Sequence, residues 1–366
     1  MSETASTDDA VEALDAFYAD LEANHLAPLW PISAGLMPSA PIPQTAPYLW
    51  KWSMLRRLAE RAGELVTIER GGDRRVLSLA NPSLDGAPYA SSTLWGAIQY
   101  LGPRESAPGH RHTPSAIRFV MEGSGVWTTV NGDACDMFPG DLVLTPSWHW
   151  HDHNNQTDEP MIWFDGLDLP TVKALDAIFF ESYEPDELQA VRGHGISERL
   201  WGGRASRPRG FDLPVGPSSP LLVYRWADTD AALDALLAER GGPHATLEYT
   251  NPVTGGAVMP TLGCEMHRIV AGGRSRPYRK VGSSVYVVFG GAGTSVIDGQ
   301  RYEWSRGDMF VVPSWATLQH EVTETSDLFC ITDRPMLEAL HLFREEWMDS
   351  TTDAPSRLEI PAATSA

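Results

Sequence analysis

Two stretches of this 366-residue chain repeat one another, and the repeat limits the possible folds more than any other feature. GDLVLTPSWHWHDH (140–153) falls on GDMFVVPSWATLQH (307–320), with GD and PSW shared at the same offsets. Upstream, ESAPGHRHTPSAIRFVMEGSGVWTTVNGD (105–133) lies beside GRSRPYRKVGSSVYVVFGGAGTSVIDGQ (273–300), which brings Gly125 onto Gly293. A shared turn at the same place after a shared hairpin reads as duplication of one structural unit. Both copies consist of short apolar runs broken by Gly, Pro and Asn-Gly, the texture of a β-sandwich or barrel. WTTVNGDACDMF is the clearest hairpin, with Asn131-Gly132 as its turn.

The flanks read differently. Val11, Leu14, Phe17, Tyr18 and Leu21 recur at three- and four-residue steps and predict a helix from Asp9. Six prolines between Pro28 and Pro47 predict an extended arm without regular structure, because each removes a donor and restricts the residue before it. A second helix is expected over about Trp50–Leu65, then a strand in the run Arg74 to Leu79. Helical periodicity returns in PTVKALDAIFFESY (170–183), around Ala227–Arg240 and from Pro335 to Met348, while 201–219 reads as a linker. The expected division is helices and a Pro-rich arm in 1–90, a first β-barrel in 91–170, a helical linker in 171–240, a second barrel in 241–334, and a helix and tail in 335–366.

Charge narrows the partners. Twenty-eight Lys and Arg against 48 Asp and Glu give −20, which repels phosphate backbones and anionic lipid, so neither nucleic acid nor a membrane is expected. The acidic N-terminus lacks the charge pattern of a signal peptide, and no span of ~18 apolar residues exists, so a cytoplasmic location is expected. Cys135, Cys264 and Cys330 are far apart without CxxC spacing and are expected to be reduced packing residues.

The histidines carry the chemistry. On a strand, His110 and His112 point to one face. The cluster His149-Trp150-His151-Asp152-His153 begins 39 residues after His110, where a barrel can bring it alongside. Three neutral imidazoles would bind a divalent transition metal with coordination positions left open; ligand count alone does not separate zinc from iron, but the absence of thiolates speaks against a structural zinc site.

HxH followed by Gly140, Pro146 and His151 (G-x5-P-x4-H) resembles the paired cupin motifs, although Arg104 stands where cupins usually place a glycine. With the repeat, the chain is similar to a bicupin: mainly β, two jelly-roll β-barrels with flanking helices and an extended N-terminal arm. More narrowly, PGHRHTPSAIRFVMEG and PGDLVLTPSWHWHDHNN resemble segments of the gentisate 1,2-dioxygenase group, which includes salicylate and 1-hydroxy-2-naphthoate 1,2-dioxygenases. LWPISAGLMPSAP, PYLWKW and RRVLSLANPSL are similar to it as well.

That resemblance implies a three-histidine iron site at His110, His112 and His151, because Ala116 or Ile117 stands where many cupins add a glutamate. It implies one Fe(II) per chain, O2 as co-substrate, no NAD or flavin, a homo-oligomer (tetramer), and a small aromatic hydroxy acid as substrate. The ring of gentisate would open between the carboxyl- and hydroxyl-bearing carbons to give maleylpyruvate. The second barrel carries Tyr278, Lys280 and Leu318 at the ligand positions and is expected to be scaffold and subunit interface, with His320 opposite His153. Arg118, of equal strand parity with His112, is the expected catalytic cation and carboxylate grip, and Arg74 is a second residue for gripping the carboxylate or positioning the N-terminal arm. His153 is the expected hydrogen-bonding or proton-accepting residue, whereas His149 reads as a solvated or hydrogen-bonding histidine. Trp95, Ala97 and Gln99 alternate on one strand as substrate-pocket walls, and Asp165 would orient Arg or His. Ala97 points toward gentisate over salicylate, substituted salicylates or 1-hydroxy-2-naphthoate. A different class, a bicupin that binds a small ligand without catalysis, is the remaining alternative.

Overall fold

The computed structural model describes residues 7–66, 75–183, 187–203, 206, 208 and 216–348. Residues 1–42 form one unit and 43–366 another. In the first, helix α1 (Thr7–Ala23) covers the predicted helix. The proline-rich arm is not wholly irregular: α2 (Ser33–Leu36) is one helical turn, set in the proline-free interval between Pro31 and Pro38 where backbone donors are available. Within this unit the Trp30 indole donates to the Tyr18 hydroxyl at 3.1 Å and stacks 6.3 Å from Phe17.

The second unit opens with β1 (Tyr48–Trp50), α3 (Trp52–Leu65) and β2 (Val76–Ser78). The first strand block is β3 (Trp95–Leu101), β4 (Ser106–His112), β5 (Ala116–Glu122), β6 (Val126–Val130), β7 (Asp133–Met137), β8 (Leu142–Thr145), β9 (His151–Asn155) and β10 (Met161–Leu167). Between the blocks lie α4 (Leu169–Ala174), β11 (Phe180–Ser182), β12 (Gly193–His194), α5 (Ile196–Trp201), β13 (Val223–Tyr224), α6 (Trp226–Arg240) and β14 (His244–Glu248). The second block is β15 (Gly263–Ile269), β16 (Tyr278–Lys280), β17 (Ser284–Gly290), β18 (Ala292–Ile297), β19 (Gln300–Ser305), β20 (Met309–Val312), β21 (Leu318–Val322) and β22 (Ser326–Thr332), followed by α7 (Arg334–Ala339) and β23 (Glu345–Trp347).

The duplication is visible in the sheet orders. One jelly roll joins β13-β8-β5-β10-β3-β2 to β11-β4-β9-β6-β7-β12; the other joins β1-β20-β17-β22-β15-β14 to β19-β18-β21-β16-β23. The fold is therefore mainly β and bicupin. The sheets containing β5 and β22 share a hydrophobic core, in which Phe119 stacks on Phe329 at 4.1 Å and 3°. Asn131 and Gly132 both have positive φ, 47° and 86°, as a two-residue turn of the predicted hairpin requires.

The shared Gly-Asp pair has a common job. Asp141 accepts from the Trp226 amide at 2.9 Å at the start of α6, and Asp308 accepts from the Trp52 amide at 2.8 Å at the start of α3. Arg225 and Lys51 add ion pairs at 2.5 and 2.8 Å to the same carboxylates. Each barrel thus draws an edge strand from outside its own block, β13 for the first and β1 for the second, and holds the N-terminus of the helix that follows, α6 or α3, which packs on strands of the other barrel. Gly140 and Gly307 hold φ of 86° and 87°, and a Cβ on Gly307 would clash with the Trp52 indole. Gly307→Ala is expected to lower stability by about 3 kcal/mol, combining left-handed strain with overpacking. A urea-unfolding midpoint equal to that of the parent would refute this reading of the turn.

Two predicted helices are corrected. In 170–183 only α4 is helical, and Phe180–Ser182 is instead an edge strand on β4; in 335–348 only α7 is helical, and Glu345–Trp347 is an edge strand on β16. Each helix carries a proline in its first turn, ends within six residues, and is followed by a residue in the left-handed region, Asp176 at 52° or His341 at 57°. The open edges of β4 and β16 then outweigh a helical period too short to sustain itself. No described helix is long and apolar enough to cross a membrane. All three cysteines are buried and unbridged.

Candidate active site

Strand alternation places His110 and His112 on one face of β4, and antiparallel pairing sets His110 opposite His151 on β9. One ligand-type nitrogen from each of the three lies within 4.8 Å of the others. The Nδ1 atoms face backbone carbonyls: His110 to Pro108 at 3.2 Å, His112 to Pro114 at 2.7 Å, His151 to His149 at 2.9 Å. A carbonyl only accepts, so each Nδ1 carries the proton and each Nε2 keeps its lone pair, the tautomer a metal requires. His151 Nε2 is buried with no hydrogen-bond partner. Burial, with the neighbouring His110 and Arg118, holds the His151 imidazole well below its ordinary pKa, so it stays neutral. An orphaned buried nitrogen beside two matched imidazoles fits a divalent transition metal.

Arg111, between the two histidines, faces the other way. It lies 4.4 Å from each of the Trp148 and Trp150 rings and pairs with Glu181 of β11 at 2.6 Å. Arg279, Trp315 and Glu346 repeat this clamp in the second barrel, which gives the tryptophan of the shared PSW a common role.

A cavity of about 110 Å³ opens beside the triad, lined in part by Trp95, Gln99, Arg118, His153 and Asp165. Arg118 and Asp165 are buried, with the carboxylate 3.5 Å from Nε and the guanidinium also donating to the Thr145 hydroxyl. The pair is held by register, because β10 sets Asp165 opposite Arg118 on one side and Ala97 on the other. Burial, opposed by Arg118 and by the Trp163 indole, pushes the Asp165 carboxyl up to about 6. His153 Nδ1 is 2.9 Å from the Thr128 hydroxyl, which itself donates to Met137 Sδ at 3.2 Å; the hydroxyl therefore accepts from Nδ1–H, leaving the His153 Nε2 lone pair. Burial and the charge of Arg118 keep His153 neutral, its pKa well below the ordinary value.

The other predicted residues fall less uniformly. Trp95 lines the cavity and donates to Ser78 at 3.1 Å, and Gln99 is a buried part of the wall. Ala97 is fully buried on the same face but is not part of the lining, so any effect on substrate room passes through Asp165 opposite it. Arg74 lies outside the described residues. Its neighbour Arg75 is a buried structural pin, paired with Glu105 and donating to the Gly63 carbonyl at 3.1 Å. His149 lies outside the triad, its Nδ1 3.0 Å from the Ser147 carbonyl. Val76, Ala107, Ala116 and Leu167 also line the cavity, and sequence reasoning missed them. Val76 had a usable signal, since it lies in the predicted strand whose pairing sets it opposite Gln99.

In the second barrel the ligand positions hold Tyr278, Lys280 and Leu318 as the repeat predicts, and the position of Arg118 holds Tyr286, stacked on Phe310 at 4.9 Å. That interior is filled by side chains.

The cupin-domain family model matches residues 97–167. The chain is 49% identical to gentisate 1,2-dioxygenase of a Streptomyces species, covering 94% of this chain and 98% of that one. It is 33% identical to 1-hydroxy-2-naphthoate 1,2-dioxygenase of a Nocardioides strain, covering 91% and 87%. Salicylate 1,2-dioxygenase of Pseudoaminobacter salicylatoxidans, solved as a gentisate adduct, superposes with a TM-score of 0.87 at 46% identity over 95% of this chain and 96% of that one. A bicupin fold, full-length similarity and a three-histidine cavity thus agree: the chain belongs to the gentisate 1,2-dioxygenase family of ring-cleaving dioxygenases.

Proposed function

We propose that this chain is the gentisate-cleaving member, using one Fe(II) held by His110, His112 and His151 to open the ring between the carboxyl- and hydroxyl-bearing carbons and release maleylpyruvate. The observation that carries the reading is the convergence of the proton-sorted triad and a buried arginine on one cavity. Bound Fe(II) supplies a redox-active Lewis acid at which an ortho-hydroxy acid and dioxygen react without an external reductant. Arg118 supplies the fixed cation that draws the substrate carboxylate into a protein otherwise of net charge −20. Asp165 orients that guanidinium. His153, neutral and with a free Nε2 lone pair, accepts a hydrogen bond or the proton of the ortho hydroxyl. Trp95 and Gln99 supply a flat apolar wall and a polar tip.

The test is oxygen uptake by Fe(II)-reconstituted protein with gentisate, salicylate and 1-hydroxy-2-naphthoate. Uptake with gentisate and maleylpyruvate absorbance are expected. Preference for salicylate or the naphthoate would keep the chemistry and overturn the substrate, and no uptake with any of them at one iron per chain would favour the non-catalytic binding protein.

Asp165 sets a pH dependence. Its folded pKa of about 6 exceeds the ordinary 3.8, so the folded chain binds the proton more tightly; this group's stabilisation is complete below 3.8 and is lost as pH rises through 6. For activity the sense is opposite, because protonation below about 6 releases Arg118 from its orienting partner. An acid limb near pH 6 in kcat/KM is expected, and it should vanish in Asp165→Asn. Persistence of the limb in that variant would assign it elsewhere.

A further inference from the structure

The interior of the second barrel holds polar groups that the chemistry above does not use. Glu265 and His267 on β15 and Cys330 on β22 present one ligand-type atom each within 4.8 Å of one another, and all three are buried. The sheet register sets Glu265 directly opposite Cys330. His320 lies beside them, its ring 6.3 Å from that of His267; its Nδ1 is 2.8 Å from the Ser295 hydroxyl, and its buried Nε2 has no hydrogen-bond partner. A carboxylate, an imidazole and a thiol are together a donor set for a borderline divalent ion such as Zn(II) or Co(II).

One further residue decides what this cluster does. Lys280, at the place His112 takes in the first barrel, is buried with its ammonium 3.9 Å from Glu265 Oε1. The ammonium and the carboxylate form a buried pair of opposite charges. A divalent ion entering the cluster would meet a like charge already in place.

We propose that Lys280 is an internal counter-cation occupying a latent metal site formed by Glu265, His267 and Cys330, so that the second barrel is held closed by its own ammonium and opens to a divalent ion only when that charge is removed. On binding, the Cys330 proton is released to solvent and the thiolate, Glu265 and His267 take up the ion.

The experiment uses the full chain with the first site disabled by His110→Ala and His112→Ala, titrated anaerobically with Co(II). Because its readout is metal uptake in the second barrel, its failure is independent of the ring-cleavage reading. The parent with Lys280 is expected to bind no Co(II); adding Lys280→Met should give one Co(II) per chain with a near-ultraviolet thiolate charge-transfer band, and adding Cys330→Ser should erase that band. Lys280→Arg, which keeps the cation, should bind none. If Lys280→Met folds only with Co(II) present, the band in the refolded protein supports the proposal. A thiolate band in the Lys280 parent, or its absence from both native and refolded Lys280→Met, overturns it.

Discussion

His151→Ala is expected to abolish metal retention and turnover while leaving the metal-free fold at least as stable. The side chain is buried, neutral and held by one bond to the His149 carbonyl, with Nε2 partnerless. Removing it deletes an unsatisfied buried nitrogen, whose desolvation costs about 1–3 kcal/mol, so the metal-free melting temperature should not fall. Removing a partner that only orients a ligand costs a metal site about 10–100-fold in affinity, so loss of a ligand itself should exceed that, with kcat down at least ~10³-fold. Added metal stabilises the parent by mass action and should no longer raise the melting temperature of the variant. Metal analysis, oxygen uptake and melting with and without Fe(II) read all three effects. A variant that keeps stoichiometric iron and half its turnover would remove His151 from the metal site.

The second large effect is at Arg118. Arg118→Met removes the cation from the cavity, and kcat/KM for gentisate is expected to fall ~10²–10³-fold, about 3–4 kcal/mol of a charged hydrogen-bonded contact. It also leaves the Asp165 carboxylate buried without its partner, a loss of order 3–5 kcal/mol in stability. That loss should shrink toward pH 5, because Asp165 is already pushed up to about 6 and takes a proton readily once the guanidinium is gone. Arg118→Met with Asp165→Asn separates the two roles: stability should return at neutral pH and kcat/KM should not. Recovery of catalytic efficiency in the double variant would show that Arg118 acts only as a structural partner of Asp165.

Much of the site is legible in the amino-acid sequence. HxH on a strand has one geometric outcome, two imidazoles on one face, and a barrel can bring the 149–153 cluster alongside; the family resemblance picks His151 out of that cluster, and β9 pairs it with His110. Strand parity groups Arg118 with His112 and Trp95 with Gln99, because a strand has only two faces, and the family resemblance says which face is the pocket; parity also groups Ala97 with them, although it does not line the cavity. Less legible are the features that depend on what a segment meets. Residues 180–182 and 345–347 carry no local sign that they will close a sheet edge, and the apolar spacing leading into them continues a helical pattern, yet the free edges of β4 and β16 claim them. Lys51-Trp52 and Arg225-Trp226 look unremarkable until the Gly-Asp turns of the two barrels are seen to hold them.

The sequence by itself determined the duplicated β architecture, the shared face of His110 and His112 and the loss of the ligand histidines from the second repeat, because period-two alternation and turn chemistry are local properties. Tertiary structure alone decided that Asp165 takes Arg118 rather than a histidine as its ion-pair partner, that Ala97 sits behind the cavity wall, that each barrel borrows an edge strand from elsewhere in the chain, and that Lys280 meets Glu265 inside the second barrel. Those outcomes join residues tens to hundreds of positions apart, and they depend on register and burial, which no local pattern encodes.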